Sequence, residues 1–231
     1  MLYLRISSNK GAVGTYFVSI LLAAIGTIVF FNAFFPAKSG YPGQKGNFSD
    51  GDTNSKSNFR MIIMLVDALR ADFISKVDSE FSFVNARIYE GSALPFITRA
   101  HPPTVTLPRL KSMITGTNPG FMDVAANFNS QELAEDNIIS RARDSGLRML
   151  MFGDETWLKL FPTAFLRAEG TSAFYVTDTV AVDDNVTRNA IPALDQHDWD
   201  VMILHYLGLD HAGHLGGEDS PTMRAKQREM D

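Results

Sequence analysis

The chain has 231 residues, which is enough for one sizeable domain with a buried core. Apolar residues make up 45% and charged residues 20%, as in ordinary globular proteins, and the net charge of −5 comes without a basic block that would favour nucleic acid as a partner. Cysteine is absent, which excludes disulfides, thiolate metal sites and cysteine nucleophiles.

The first predicted element is a membrane span over residues 15–35. These residues carry no charge, and a helix of about 20 residues crosses a hydrocarbon layer of roughly 30 Å. A cleaved signal peptide is the alternative, but its apolar core is shorter and ends in small residues. This segment ends in Phe34 and Phe35, followed by Pro36. We therefore predict an uncleaved anchor.

The orientation of the anchor is suggested by what surrounds it. Basic residues flank the span almost equally, and two N-x-S/T glycosylation acceptor sites, at Asn47 and Asn185, follow it. We expect residues 1–14 to be cytoplasmic and everything beyond the span to be lumenal. Residues 36–58 are rich in Gly, Ser, Asn, Lys and Pro, and this composition predicts a flexible linker.

From residue 59 onward, apolar runs alternate with helical patterns, so residues 59–231 are predicted to form one α/β domain with a mostly parallel, doubly wound sheet. The predicted strands are 61–66, 94–98, 147–152, 173–176 and 201–204. The predicted helices are 108–115, 131–145 and 185–194, the last interrupted by Pro192. Ligands of such a sheet bind at the carboxyl ends of its strands.

Candidate metal ligands directly follow two of these strands. Asp67 comes after the first strand, where a carboxylate can hold a cation or cap the next helix. Asp210 and His214, four residues apart, follow the last strand in a segment that holds three of the five histidines. Oxygen and nitrogen donors of this kind suit zinc. The alternative is a polar loop with solvated histidines.

Thr106 stands at the start of the helix predicted over 108–115. Its simplest role is that of a helix N-cap. The same position also suits a nucleophile, because the free N–H groups and positive partial charge of a helix N-terminus stabilise an alkoxide and phosphate oxygens. Coordination to a metal would activate the hydroxyl. Both roles fit the sequence at this point.

Four motifs, taken together, resemble the GPI ethanolamine phosphate transferases, and most closely their type 2 branch. The motifs are VDALR at 66–70, PPTVTLPR at 102–109, GDETW at 153–157 and HYLGLDHAGH at 205–214. Each motif alone would be weak, whereas their order and spacing make the resemblance specific. The similarity runs from the predicted anchor to the last residue.

The resemblance implies an alkaline phosphatase-like domain in the lumen of the endoplasmic reticulum, followed by many transmembrane helices. It implies transfer of phosphoethanolamine from phosphatidylethanolamine to a mannose of the GPI precursor, the second mannose for type 2, and a small multi-span membrane partner subunit. It also implies two divalent metal ions, both expected to be zinc. One would be held by Asp67 and Thr106 and the other by Asp210 and His214. Thr106 would then be the nucleophile that carries the phosphoethanolamine.

The resemblance also has departures. The superfamily places further metal ligands in a Gly-Asp-His-Gly-Met motif and at a later histidine, and this chain stops before either. We therefore expect a truncated part of a longer enzyme, with an incomplete sheet, weak metal binding and little turnover of its own. Asp154 and Glu155 are candidates to meet the ethanolamine ammonium, or else form an acidic first helical turn. Arg109 attracts phosphate or lies on a solvated face.

Two other functions remain open from the sequence. One is a metal-dependent phosphodiesterase of the same superfamily, which would hydrolyse the phosphate ester instead of transferring the group. The other is a non-catalytic, membrane-tethered interaction domain, either a short isoform or a decayed copy. The early stop favours the interaction domain, whereas the intact set of Asp67, Thr106, Asp210 and His214 argues against it.

Overall fold

A computed structural model of the protein describes residues 10–34, 60–118 and 132–231. Helix α1, Lys10–Phe34, is apolar on all sides, and its stretch Val13–Ala33 has a mean hydropathy of 2.1 with none of that stretch buried. By length and composition this helix can cross a membrane, which fits the predicted anchor. The predicted linker at 36–58 and the acceptor site at Asn47 lie outside the described residues.

Four parallel strands form one sheet in the order β1-β4-β2-β3. The strands are β1 Met61–Val66, β2 Met149–Asp154, β3 Phe165–Thr171 and β4 Val201–Tyr206. This arrangement confirms the α/β class with a parallel sheet and the strands predicted at 61–66, 147–152 and 201–204. Because β1 and β4 are neighbours, their carboxyl ends meet at the same edge of the sheet.

Eight helices of the described chain connect and cover these strands. They are α2 Ala71–Ser75, α3 Ser82–Tyr89, α4 Thr106–Thr115, α5 Ile138–Asp144, α6 Thr156–Leu160, α7 Ala181–Leu194, α8 Gly208–Gly216 and α9 Pro221–Met230. The helix predicted at 108–115 is confirmed as α4. The helix predicted at 185–194 is confirmed as α7, and the interruption expected at Pro192 is wrong because this proline lies in the last turn of the helix.

The core lies on both faces of the sheet because side chains alternate along each strand. Leu150 and Phe152 of β2 belong to one apolar cluster, together with side chains of α7, α8 and α9. Met149 and Met151 of the same strand belong to a second cluster, with side chains of α4 and α6. The central strands therefore contact helices on both sides, as their continuous apolar sequences predict.

The strand predicted at 94–98 is wrong. This segment has no regular structure, and Leu94, Phe96 and Ile97 are exposed. An apolar run becomes a strand only where a neighbouring strand accepts its hydrogen bonds, and no strand of the described chain pairs with these residues.

The strand predicted at 173–176 is also wrong, because these residues form turns. The strand of this region is β3, at the edge of the sheet. Two charged residues, Arg167 and Glu169, made this strand hard to recognise in the sequence. In the structure Arg167 is half-buried and pairs with Asp198, and Glu169 is exposed and pairs with Arg188. An edge strand tolerates such residues because it is not covered on both faces.

The helix predicted at 131–145 is shorter in the structure. Residues 132–137 are not helical, and α5 begins only at Ile138. The Asn137 side chain accepts a hydrogen bond from the Ser140 backbone N–H at 2.8 Å, which is the contact of an N-cap. This local bond sets the start of the helix.

Candidate functional site

Asp67 and Thr106 meet beyond the carboxyl end of β1. Asp67 Oδ2 accepts a hydrogen bond from Thr106 Oγ1 at 2.9 Å, although 39 positions separate the two residues in the chain. Asp67 Oδ1 accepts from the backbone N–H of Ala68 at 2.9 Å, and Ala68 has a left-handed φ of 58°. This unusual backbone turns the chain sharply after the strand and fixes the carboxylate beside Thr106.

Thr106 is the first residue of α4, and Val105 is its N-cap. The N-cap role expected for Thr106 is therefore wrong, because its hydroxyl donates to Asp67 instead of accepting from a backbone N–H of the helix. The position still places the hydroxyl at the positive end of a ten-residue helix. The side chain is half-buried, so it remains accessible from the adjoining cleft.

Asp210 and His214 form a second pair on α8, one helical turn apart. His214 Nε2 lies 3.3 Å from Asp210 Oδ2. Burial raises the pKa of Asp210, and the negative charge of Asp67 raises it further. Because β1 and β4 are neighbours, the two predicted metal ligands that follow them lie at the same edge of the sheet.

A buried ion pair fixes the start of α8. Asp183 Oδ1 accepts hydrogen bonds from the backbone N–H groups of Leu207 and Gly208, at 3.0 and 2.9 Å. Asp183 Oδ2 accepts from Lys226 Nζ at 3.0 Å, and the two side chains are only 1% and 4% exposed. A side chain at Gly208 would overlap Asp183 Oδ2, so only glycine allows this close approach.

Lys226 is charged in this setting. Burial lowers the pKa of Lys226, but the hydrogen bonds and charges of Glu229 and Asp183 together outweigh burial and leave that pKa above its ordinary value. The pair with Asp183 is therefore ionic at neutral pH. It connects α7, α9 and the helix that carries Asp210 and His214.

His205 lies within β4, behind Asp67 and Thr106. It is 1% exposed and accepts a hydrogen bond at Nδ1 from Trp157 Nε1 at 3.1 Å. Burial lowers the pKa of His205, so the ring is neutral at physiological pH and carries its proton on Nε2. The ring also lines a cleft of about 250 Å³ with Asp67, Thr106 and Arg109. His205 therefore belongs both to the core and to the wall of the site.

A second and larger cleft of about 310 Å³ contains all four predicted catalytic and metal-binding residues in its wall. These are Asp67, Thr106, Asp210 and His214. Asp67 and Thr106 line both clefts and thus lie between them. Arg109 lines only the smaller cleft, where its Nη1 donates to the His101 carbonyl at 3.3 Å.

Asp154 and Glu155 also line the larger cleft, at the carboxyl end of β2. Asp154 is 1% exposed, and its Oδ1 accepts two hydrogen bonds from Thr156, from the backbone N–H at 2.8 Å and from the hydroxyl at 2.7 Å. Its Oδ2 is buried and has no hydrogen-bond partner in the part of the chain that the structure describes. Glu155, in contrast, pairs with Lys159 at 2.7 Å.

The acceptor site at Asn185 lies within helix α7, and its side chain is half-buried. Its Nδ2 donates to Thr171 Oγ1 at 2.9 Å. An amide nitrogen held in this way is a poor acceptor for a glycan once the chain has folded. Glycosylation at Asn185 stays a prediction.

The donor chemistry of the site suits a divalent metal. A carboxylate with a hydroxyl, and a carboxylate with an imidazole, are ligands that zinc accepts. Among the described residues, however, no group of three or more His, Cys, Asp and Glu side chains is placed to hold a metal ion. Each predicted pair therefore supplies two donors, and a four-coordinate ion needs further ligands.

Several site residues were missed in the sequence. They are Asp183 and Lys226 behind α8, His211, whose Nδ1 lies 2.6 Å from the Asp178 carbonyl oxygen, and the cleft residues Lys159 and Phe174. His211 lies within the DHAGH segment, so its place in a metal-ligand cluster was a usable signal. The other four carry no local pattern, because contacts between distant chain positions bring them to the site.

Residues 61–231 match the family described as type I phosphodiesterase / nucleotide pyrophosphatase. The chain belongs to this family, and its domain is alkaline phosphatase-like in fold. The catalytic machinery of such a domain is expected at the carboxyl ends of the parallel strands, where Asp67, Thr106 and Asp210 lie.

Comparison with individual proteins is more specific. The chain is 43% identical to GPI ethanolamine phosphate transferase 2 of Aspergillus fumigatus, over 96% of this chain and 30% of that protein. It is 40% identical to the human GPI ethanolamine phosphate transferase 2, catalytic subunit, over 92% of this chain and 23% of that protein. These relatives confirm the resemblance found in the motifs. The chain spans less than a third of their length.

One solved structure also resembles the chain. It is murine ectonucleotide pyrophosphatase / phosphodiesterase 5 in complex with AMP, with a TM-score of 0.47 and 17% identity. The match covers 74% of this chain and 49% of that one.

Proposed function

We propose that the complete protein transfers phosphoethanolamine from phosphatidylethanolamine to a mannose of the GPI precursor, namely the second mannose. One observation carries the proposal: Thr106 Oγ1 donates to Asp67 Oδ2 at 2.9 Å, in a cleft that Asp210 and His214 also line. The relatives named GPI ethanolamine phosphate transferase 2 support the choice of substrates.

The proposal includes two bound divalent metal ions, preferably zinc. Asp67 and Thr106 would hold one ion, and Asp210 and His214 the other. When bound, the ions would favour the alkoxide form of Thr106 and neutralise phosphoryl oxygens. Asp67 and Asp210 line the same cleft, and a cation bound between them would offset their two negative charges.

The chemistry of the chain's own residues consists of two displacements at phosphorus. In the first, Thr106 Oγ forms a bond to phosphorus, the bond to the diacylglycerol oxygen breaks, and diacylglycerol leaves with a proton. The hydrogen bond to Asp67 orients the Thr106 hydroxyl and marks the direction in which its proton departs. In the second, the mannose oxygen forms a bond to phosphorus, the bond from phosphorus to Thr106 Oγ breaks, and the proton of the mannose hydroxyl restores the Thr106 hydroxyl.

The decisive experiment follows the phosphoethanolamine group. The complete protein, purified in detergent, is incubated with phosphatidylethanolamine labelled in its ethanolamine. Without an acceptor we expect the label on a peptide that contains Thr106, and with a mannoside acceptor we expect the label on that mannoside. Thr106→Val should carry no label, whereas the exposed Asp144→Asn should behave like the wild type. Label on the mannoside with Thr106→Val would refute the nucleophile.

Hydrolysis is the second candidate function, because the family that matches residues 61–231 is described by phosphodiesterases and pyrophosphatases. The two functions share the first displacement and differ in the second. The same labelled donor separates them: a transferase gives labelled mannoside, while a phosphodiesterase gives water-soluble phosphoethanolamine at the same rate with or without acceptor.

We further propose that α1 anchors the domain in the endoplasmic reticulum with residues beyond 36 in the lumen, next to a small multi-span partner subunit. Protease protection in intact microsomes tests the orientation, since the domain should be digested only after the membrane is permeabilised. Because each ligand pair provides two donors, we also expect residues 1–231 alone to bind zinc weakly and to turn over little donor. Tight zinc binding with turnover would contradict this expectation.

A further inference from the structure

The charges around the larger cleft do not balance. Four carboxylates, those of Asp67, Asp154, Glu155 and Asp210, line it with one lysine, Lys159. Asp67 and Asp210 belong to the proposed metal pairs. The remaining three residues leave one net negative charge. The cleft therefore has one negative charge that a cationic group of a ligand can balance.

Asp154 is the carboxylate that lacks a cation. Glu155 already pairs with Lys159 at 2.7 Å, whereas Asp154 Oδ2 is buried without a partner in the described chain. His205 Nδ1 lies 3.9 Å from Asp154 Oδ2. That nitrogen accepts from Trp157 and has no proton to offer. A buried carboxylate oxygen without a donor is costly, and such groups in native structures call for an explanation.

The backbone and neighbouring side chains hold Asp154 rigidly in this place. A side chain at the preceding Gly153 would overlap the His205 carbonyl, so glycine permits β2 to approach β4 closely just before Asp154. The two hydrogen bonds from Thr156 fix Oδ1 and leave Oδ2 as the available acceptor. A carboxylate fixed in advance binds a cation without an ordering cost.

An aromatic ring is the second feature that suits a cation. Phe174 lines the same cleft and is 81% exposed. The face of an aromatic ring attracts an ammonium group through its quadrupole, and the effect grows as the group loses water. Phe174 thus provides a second attractive surface in the cleft that Asp154 lines.

We propose that Asp154 binds the primary ammonium group of the donor headgroup, with Phe174 as the aromatic wall of this subsite. The inference rests on the proposed transferase function and names the part of the site that recognises ethanolamine. A primary ammonium has three N–H donors for a carboxylate, whereas a trimethylated headgroup has none. The subsite therefore selects phosphatidylethanolamine over phosphatidylcholine and over lipids with uncharged headgroups.

The test uses Asp154→Asn in the complete protein. Asparagine keeps the shape and an oxygen that accepts from Thr156, but it lacks the charge. Diacylglycerol release is measured with phosphatidylethanolamine, phosphatidylcholine and phosphatidylethanol, each without acceptor. For a lost charge-assisted bond we expect the single-turnover rate of diacylglycerol release from phosphatidylethanolamine, measured below saturation, to fall about 10- to 150-fold, with phosphatidylethanol unchanged. Phe174→Leu should give a smaller loss in the same direction, and the exposed Asp144→Asn none.

Other outcomes overturn the proposal. Equal losses with phosphatidylethanolamine and phosphatidylethanol would give Asp154 a structural role only. An effect confined to the transfer step, with diacylglycerol release unchanged, would show that Asp154 binds a group of the acceptor and not the ammonium group of the donor. If the wild type releases no diacylglycerol at all, the transferase function fails separately. Calorimetric titration with phosphoethanolamine and with inorganic phosphate then decides, since Asp154→Asn should weaken only the former.

Discussion

Replacing Asp183 by alanine should release the start of α8 and, with it, the ligand pair Asp210 and His214. The substitution removes the acceptor for the Leu207 and Gly208 N–H groups and takes from Lys226, 4% exposed, its buried carboxylate partner. The bond from Lys226 to Glu229 at 2.8 Å remains, but Glu229 is 44% exposed and does not reach α8. A buried charge and two unpaired N–H groups would result.

The expected loss of stability follows from these lost contacts. Removing one partner of a buried ion pair costs about 3–5 kcal/mol. For a domain of 150–250 residues each kcal/mol lowers Tm by about 2–4 °C, so Asp183→Ala should lower Tm by roughly 6–20 °C. Asp183→Asn keeps an acceptor for the N–H groups and should cost less, about 1–3 kcal/mol. Adding Lys226→Met to Asp183→Ala removes the buried charge and should recover part of the loss.

The assay combines stability with metal content. Thermal unfolding of the complete protein in detergent is followed by tryptophan fluorescence, because Trp157 and Trp199 are both buried in the domain. Zinc per chain is measured by mass spectrometry at a temperature where every variant is folded. We expect Asp183→Ala to lose zinc even when folded, since α8 carries one of the two proposed ligand pairs. Gly208→Ala, whose new methyl group would overlap Asp183 Oδ2, should reproduce both effects.

The reasoning is refuted if Asp183→Ala melts within about 2 °C of the wild type and keeps its zinc. It is also refuted if the double variant with Lys226→Met is as unstable as the sum of the single variants, because the buried lysine would then carry no cost. A loss of Tm with normal zinc content would reduce Asp183 to a purely structural residue.

Three further predictions concern the site and the surface. Thr106→Ser should keep measurable transfer while Thr106→Val loses at least about a thousandfold, as scored by labelled mannoside; equal activity of the two would contradict nucleophilic catalysis. Trp157→Phe removes the donor to His205 Nδ1 and should lower stability by about 1–3 kcal/mol in the same melting assay, and an unchanged Tm would show that this bond is unimportant. Because the Asn185 amide is held in a helix, Asn47→Gln should remove more of the shift seen on endoglycosidase H treatment than Asn185→Gln, and the reverse order would refute this.

The approach of Asp67 to Asp210 was predictable from the sequence. Both follow continuous apolar runs, and such runs indicate central strands of a parallel sheet. The carboxyl ends of parallel strands share one edge, so residues that follow them gather there whatever the length of the connecting chain. Pairing of β1 with β4 brings the two carboxylates together, as the pKa of Asp210 reflects.

The two wrong strand predictions concern segments whose hydrophobicity does not match their place in the structure. Residues 94–98 are apolar and yet remain exposed, while the edge strand β3 contains the charged residues Arg167 and Glu169. In both cases the deciding factor is the presence or absence of a neighbouring strand. The sequence of the segment itself does not contain that information.

The amino-acid sequence by itself determined the parallel sheet, the apolar N-terminal helix and the residue types at the strand ends. These features depend on hydrophobic periodicity and composition, which are local properties of the chain. Only the tertiary structure decided which group accepts the hydrogen bond of the Thr106 hydroxyl, which carboxylate holds α8, and which carboxylate in the cleft stays without a cation. Those contacts join positions 39 and 43 apart, such as Thr106 with Asp67 and Lys226 with Asp183. Hydrogen bonds and buried charges are completed across the fold, so their partners become visible only when the chain is folded.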